Sequence, residues 1–128
     1  MSDFTIENLD AVEDSAPKFG FGERGEARFA TGALAARDTG LSFHRVKPGK
    51  RQGFGHVHDK AEEVYVVVGG SGRIKLDDEI RDIKHLDAIR VAPKVVRAFE
   101  ADDEGLELLA FGPRHEGDGE LVQDFWAD

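Results

Sequence analysis

The sequence predicts a single all-β domain, and three features of its 128 residues support this fold class. Short apolar segments are separated by turns, for which fifteen glycines and four prolines are available. No segment before the C-terminal tail has the 3.6-residue apolar period of a helix. Apolar residues make up 40% of the chain, enough for one core, and the length suits one domain spanning residues 1–128.

The predicted strands follow one another at short intervals, after a polar and loosely packed arm at residues 1–18. They are residues 26–34, 41–46, 64–68, 73–76, 79–83, 88–91, 95–100 and 106–111. Two turns separate neighbouring strands at glycine-rich residues 69–72 and acidic residues 101–105. The polar tail, residues 113–128, has four apolar residues at helix-like spacing and predicts one docked turn. Many short strands without intervening helices indicate a β-sandwich or barrel.

Composition narrows the classes of partner. The formal net charge is −9, and no basic stripe with interleaved aromatic residues occurs, so a nucleic-acid partner is not expected. No window approaches the ~18 consecutive apolar residues of a membrane span. The N-terminal sequence lacks the basic and apolar regions of a secretory signal, and cysteine is absent. These features predict a cytoplasmic protein that does not bind membranes.

The segment HVHDKAEEVYVVVGGSG, residues 56–72, combines metal-ligand chemistry with a strand pattern. His56 and His58 are two residues apart, so both imidazoles point to one face of an extended chain. Glu62 or Glu63 can turn back towards the same pocket after a polar break. Two imidazoles and one carboxylate form the ligand set of open metal sites with three protein ligands.

This segment resembles the first motif of the cupin superfamily, specifically its small single-domain members with one conserved barrel. His56, His58, Glu63 and Gly70 match the motif, with four residues between His58 and Glu63. The resemblance covers about residues 40–112 and implies a jelly-roll β-barrel of the RmlC-like type with an internal pocket, often as a homodimer. It does not imply one reaction, because the scaffold supports many chemistries.

Strand alternation and the motif disagree about which glutamate faces the pocket. Alternation places Glu62 with the continuously apolar face of the next strand, which would send Glu62 inward. The motif favours Glu63, and we follow it. Tyr65 then lines the barrel beside Glu63 and can donate a hydrogen bond, although a packed, half-buried aromatic residue fits the same pattern.

The second cupin motif is present mainly by register. Its Gly, Pro, Gly and His positions are occupied by Leu86, Ala92, Lys94 and Arg97. In metal-binding cupins the last of these supplies the fourth ligand, and arginine cannot, because its guanidinium only donates hydrogen bonds and stays protonated. Arg97 instead predicts either an ion pair with Glu63 or a clamp for an anionic substrate.

The sequence therefore predicts a protein that binds a small polar or anionic organic molecule in the barrel. One hypothesis is a metal-dependent enzyme of dioxygenase or isomerase type, with Fe, Mn, Ni or Zn held by His56, His58 and Glu63. Another is a metal-free binding or sensor protein with a Glu63–Arg97 pair in the metal position. A third is acid–base catalysis by His44, His56 or Tyr65. Arg97, Tyr65 and His44 are the candidate substrate contacts, His44 because its strand can face the pocket.

Overall fold

The computed structural model describes residues 3–113 and 117–126, and strands make up 53% of these residues. Within these residues the strands are β1 (Gly25–Phe29), β2 (Thr39–Val46), β3 (Gly55–His58), β4 (Glu63–Leu76), β5 (Glu79–Lys84), β6 (Ala88–Val91), β7 (Arg97–Pro113) and β8 (Gly119–Val122). Two short 3-10 turns, Leu9–Ala11 and Ala16–Phe19, precede them. The predicted all-β fold class is confirmed.

All the described strands belong to one curled antiparallel sheet, in which β4 and β7 are long enough to serve both layers of the barrel. The N-terminal half of β4 pairs with the C-terminal half of β7, and the two opposite halves also pair with each other. The first layer therefore contains β1, β2 and β6, and the second contains β3, β5 and β8. This arrangement brings β3 and the beginning of β4 to the same end of the barrel.

The glycines at residues 69–72 were predicted to form a turn, and that prediction is wrong. The ladder between β4 and β7 continues across them, with register shifts on both sides of the glycine pair. Gly70 has a φ of 69°, and a Cβ atom on Gly72 would lie 2.0 Å from the carbonyl oxygen of Glu100. Glycine is therefore used here for a bulge and for close backbone approach, which bend a continuous strand.

The acidic turn at residues 101–105 was also predicted wrongly, because these residues lie within β7. Asp102, Asp103 and Glu104 are exposed on the outside of the bend, while Ala101 and Gly105 are buried. Solvent exposure explains their polar composition without a break in the strand. Residues 97–100 of one predicted segment and all of the segment 106–111 are thus parts of one strand, which begins at Arg97.

Both ends of the described chain pack against the barrel more closely than the sequence indicated. In the N-terminal arm, Val12 and Ala16 are buried, and Asp14 Oδ1 accepts hydrogen bonds from the backbone of Ala16 and Ala27. The tail forms β8, which pairs with β3, rather than only the predicted docked turn. The first predicted strand, residues 26–34, ends earlier, at Phe29.

The hydrophobic core fills the barrel beyond the site end. Its buried members are Val46, Tyr65, Val67, Ile74, Ile83, Val91, Phe99, Ala101, Leu106, Leu108 and Ala110. Tyr65 and Val67 point inward, so the apolar face carrying Val64, Val66 and Val68 is the outer one. Among the described residues, no helix is both long and apolar enough to span a bilayer.

Candidate metal and ligand site

Two neighbouring strands place the predicted ligands together. His56 and His58 are alternate residues of β3, so their rings share one face of the sheet. Glu63 is the first residue of β4, after the loop that follows β3. Its Oε1 atom lies 3.2 Å from His56 Nε2 and 3.0 Å from His58 Nε2. One potential ligand atom from each of the three residues falls within 4.8 Å of the other two.

Glu63, rather than Glu62, faces the site. The Glu63 side chain is 17% exposed, whereas the Glu62 side chain is 55% exposed and lies 3.3 Å from Arg90 at the surface. Strand alternation alone favoured the opposite assignment, because Val64, Val66 and Val68 form an unbroken apolar set. The motif alignment, in contrast, placed Glu63 on the side of β4 that faces the site, as the structure does.

Tyr65 extends this polar cluster from the buried side. Its hydroxyl donates a hydrogen bond of 2.5 Å to Glu63 Oε1 and lies 3.1 Å from His56 Nε2. The ring is 2% exposed and packs edge-on against Phe99. Burial, together with the neighbouring Glu63 carboxylate, raises the pKa of Tyr65 well above its usual value, so its hydroxyl keeps its proton and remains a donor.

Asp118 also belongs to the site, although the sequence gave no indication of it. Its side chain is only 5% exposed, and its Oδ2 atom lies 3.2 Å from His58 Nδ1. Asp118 also accepts hydrogen bonds from the backbone N–H groups of Lys60 and Ala61. It therefore fixes both the His58 ring and the loop before Glu63. A carboxylate on the far nitrogen of a histidine is the usual arrangement behind a metal-ligating imidazole.

Arg97 lies next to the cluster but is completely buried and is not among the residues that line the cavity. It is paired in register with His56, at the first residue of β7. Its Nη2 donates to the carbonyl of Ala92 at 3.0 Å, and its Nη1 lies 3.9 Å from Glu63 Oε1. Nη1 and Nε have no hydrogen-bond partner among the described residues. In this geometry the guanidinium is connected to the cavity through Glu63, and direct contact with a substrate stays a prediction.

Neighbouring groups shift the pKa values of Glu63 and His58. Burial alone would raise the pKa of Glu63, but contacts with His56, His58 and Tyr65 outweigh it and lower this pKa far below its usual range. The Glu63 carboxylate raises the pKa of His58, against the opposing effects of burial and Arg97. Glu63 is therefore an anion at any ordinary pH, and its carboxylate is in contact with both histidine rings.

His44 lies on β2 and lines the same cavity, where its Nε2 is 2.8 Å from the hydroxyl of Ser42. Although part of the ring touches the cavity, the protein around it is dense. Burial, reinforced by His56, lowers the pKa of His44 from 6.5 to about 4. The imidazole is consequently neutral near pH 7 and offers a ligand one hydrogen-bond donor or acceptor without charge.

A cavity of about 340 Å³ opens over these groups. His44, His56, His58, Glu63 and Tyr65 contribute its polar wall, and most of the remaining wall is apolar. This volume is within the range of sites that hold small organic molecules. The structure thus brings together, at one cavity, every predicted site residue except Arg97, which lies behind Glu63.

Solved structures with a similar fold include cupins. A cupin protein from Bacteroides fragilis is 19% identical, with a TM-score of 0.73 over 91% of this chain and 89% of that one. The polyketide cyclase RemF from Streptomyces resistomycificus is 16% identical, with a TM-score of 0.76 over 92% and 84%. Oxalate decarboxylase from Bacillus subtilis is 22% identical, with a TM-score of 0.73 over 96% of this chain and 34% of the decarboxylase.

These similarities establish the fold, and the chain has the cupin jelly-roll fold that the motif indicated. No protein-family model matches the sequence, and no curated protein matches it. The similar structures include enzymes with different reactions, such as a cyclase and a decarboxylase. The fold therefore does not determine the function, which depends on the residues of the site.

Proposed function

We propose that this protein binds one divalent transition-metal ion through His56, His58 and Glu63 and uses it on a small organic molecule held in the cavity. The observation that supports this most directly concerns His58. Its Nε2 atom is buried and lies 3.0 Å from Glu63 Oε1, yet the direction of the contact does not fit a hydrogen bond. A buried nitrogen without a hydrogen bond is costly unless another partner satisfies it.

The separations of the donor atoms fit a shared ion. Ligand atoms about 2.1 Å from a metal ion and 90° apart are about 3 Å from each other. The two contacts of Glu63 Oε1, at 3.0 and 3.2 Å, have this spacing. Asp118 holds the other nitrogen of His58, and the Tyr65 hydroxyl fixes the carboxylate. The chain therefore supplies both the ligands and the groups that orient them.

A bound ion would supply a Lewis acid with positions open to the cavity, which suits isomerase or oxygenase chemistry. The protein groups around it determine what can bind. Glu63 and Asp118 each carry one negative charge and Arg97 one positive charge, so a dication would leave about one net positive charge in the site. A ligand with an anionic oxygen would neutralise this charge. His44, neutral near pH 7, would hydrogen-bond to such a ligand.

The second candidate is a metal-free binding or sensor protein. It is favoured by the Glu63–Arg97 contact and by the Tyr65 hydroxyl, which already donates to the carboxylate. However, the Glu63–Arg97 distance is 3.9 Å, longer than the distances from Glu63 to either histidine. Arg97 also retains two unpaired donor atoms within the described part of the chain. The pair accounts for less of the geometry than a metal ion does.

Metal content tests the proposal. Protein purified without chelators and reconstituted separately with Fe(II), Mn(II), Ni(II) and Zn(II) is analysed by elemental mass spectrometry. We expect about one equivalent in the wild type and none in His58→Ala. The matched control is His85→Ala, because His85 is exposed on a turn outside the site. Metal retained in His58→Ala at the level of the control would exclude His58 as a ligand, and no metal in the wild type would favour the metal-free alternative.

A cytoplasmic location and a homodimer remain predictions that accompany this proposal. The partly exposed outer face of β4, with Val64, Val66 and Val68, is the surface that we expect a second copy to cover. Sedimentation or light scattering of the wild type measures the assembly directly. Acid–base catalysis without metal is distinguished by activity that survives chelators.

A further inference from the structure

Four phenylalanines line the cavity together with the proposed metal ligands. They come from three separate parts of the chain: Phe19 with Phe21, then Phe29, then Phe54. Leu121 of β8 adds a further apolar side chain to the wall. A cavity for a short polar acid would not need apolar side chains from so many elements.

Three of the rings contact one another, and the fourth contacts a polar group of the site. Phe21 and Phe54 pack edge to face with ring centroids 4.7 Å apart, and Phe19 stacks on Phe21 at 6.2 Å. The Phe29 ring lies edge-on to His44 at 5.8 Å. Aromatic rings therefore line the cavity in two places, one of them beside the neutral imidazole, an arrangement that fits a flat ligand body.

These rings are only partly covered by the protein. Phe19 is 55% exposed and Phe29 is 53% exposed, although both are large and apolar. Exposed apolar surface that lines a concavity, with polar groups converging at one end, is typical of a ligand site. An acid of two or three carbons would contact the polar groups but leave these rings uncovered, and it would fill little of the 340 Å³.

We propose that the ligand has a flat aromatic body of one or two rings and carries adjacent oxygen atoms, at least one of them ionisable. The body packs between the phenylalanines, and the oxygen atoms face His56, His58 and Glu63. The position of the oxygen atoms rests on the proposed metal site, whereas that of the aromatic body rests on the wall alone. This replaces the sequence-based expectation of a small polar ligand with an aromatic hydroxy acid or a similar enolisable compound.

A series of acids with the same oxygen arrangement and increasing ring area tests this. The acids 3-hydroxypropanoate, salicylate and 1-hydroxy-2-naphthoate each carry a hydroxyl on the β carbon of a carboxylate, with zero, one and two rings. Their affinities for Mn(II)-loaded protein and for chelator-treated protein are measured by isothermal titration calorimetry. We expect affinity to rise along the series in both forms of the protein, with hydroxynaphthoate bound at least about tenfold more tightly than hydroxypropanoate.

Variants locate the effect. Phe54→Ala should weaken hydroxynaphthoate binding by about tenfold and leave hydroxypropanoate binding unchanged. Phe4→Ala is the matched control, because Phe4 is 72% exposed and does not line the cavity. If Phe54→Ala does not fold, Phe29→Ala serves instead, since removing a half-exposed ring does not open the core. Equal affinities for the three acids, no binding of hydroxynaphthoate, or no effect of either ring variant on it would overturn the inference.

The two proposals fail in different ways. If Mn(II) does not bind but the ring series persists in chelator-treated protein, the metal site is wrong and the aromatic body stands. If one equivalent of Mn(II) binds and no preference for rings appears, the metal site stands and the aromatic body is wrong. Because the calorimetric readout is binding rather than turnover, neither result depends on knowing the reaction.

Discussion

The two sides of the site differ in how they are built. On one side, His56, His58 and Glu63 come from eight consecutive residues and match a metal-binding motif. On the other, the position that supplies a further ligand in metal-binding cupins carries Arg97, buried and only partly hydrogen-bonded. A guanidinium repels a dication, so the second side opposes what the first side attracts. The candidate metal ligands and the charge beside them are therefore supplied by different residues of this barrel.

The largest effect should come from removing the group that both sides share. Glu63→Ala deletes a metal ligand and leaves the buried Arg97 without its nearby carboxylate. We expect no metal binding and a loss of about 3 kcal/mol in the free energy of unfolding, measured by chemical denaturation. Glu62→Ala, which removes an exposed glutamate paired with Arg90, should cost less than about 1 kcal/mol. Equal costs for the two variants would mean that the Glu63–Arg97 contact is not important for stability.

Metal binding by His56, His58 and Glu63 can be weakened without changing any of these three residues. Asp118→Asn removes the negative charge behind His58 but keeps the size of the side chain. We expect metal affinity to fall by about 10- to 100-fold, measured by competition with a chromophoric chelator. Asp59→Asn is the control, since Asp59 is exposed in the same loop and 3.9 Å from Lys94. An unchanged affinity in Asp118→Asn would show that His58 needs no orienting carboxylate.

The Arg97 side of the site can be given a metal ligand of its own. Arg97→His replaces the positive charge with an imidazole at the position that pairs with His56. We expect metal affinity to rise by about tenfold, because repulsion is removed and a ligand is gained. Thermal melting checks that the smaller side chain is tolerated, and Arg90→His, at an exposed arginine, should leave the affinity unchanged. A weaker affinity in folded Arg97→His would contradict the assignment of residue 97 to the ligand position.

The smallest effect concerns His44, whose pKa is lowered from 6.5 to about 4 in the folded protein. Between these values the unfolded chain binds more protons than the folded one, so stability rises with pH. The full shift corresponds to about 3 kcal/mol, and water in the cavity should reduce the measured effect to about 1 kcal/mol. His44→Gln should therefore lose less stability than the wild type between pH 7 and pH 4.5 in urea titrations. Parallel curves for the two proteins would mean that His44 titrates normally.

The strand predictions were right where the apolar pattern and the observed strand pairing agree. They were wrong where glycine can serve either in a turn or in a bulge. Residues 88–91 were predicted with the bounds that the structure has, because a short alternating segment is followed by a proline. The glycine-rich segment 69–72 favours a turn in isolation, but here it allows β4 and β7 to bend together while remaining paired. A turn and a bulge require similar backbone freedom, so the sequence of one strand does not distinguish them.

The sequence alone was enough to predict the candidate ligand set, because the spacing of His56 and His58 on an extended chain fixes which face their rings share. The motif also placed Glu63 beside them, where simple alternation favoured Glu62. The tertiary structure was needed to show that Asp118, sixty residues from His58, contacts the His58 ring and that phenylalanines from three segments line the cavity. The physical reason is that strand geometry is local, whereas contacts between distant segments depend on which strands pair and how they bend.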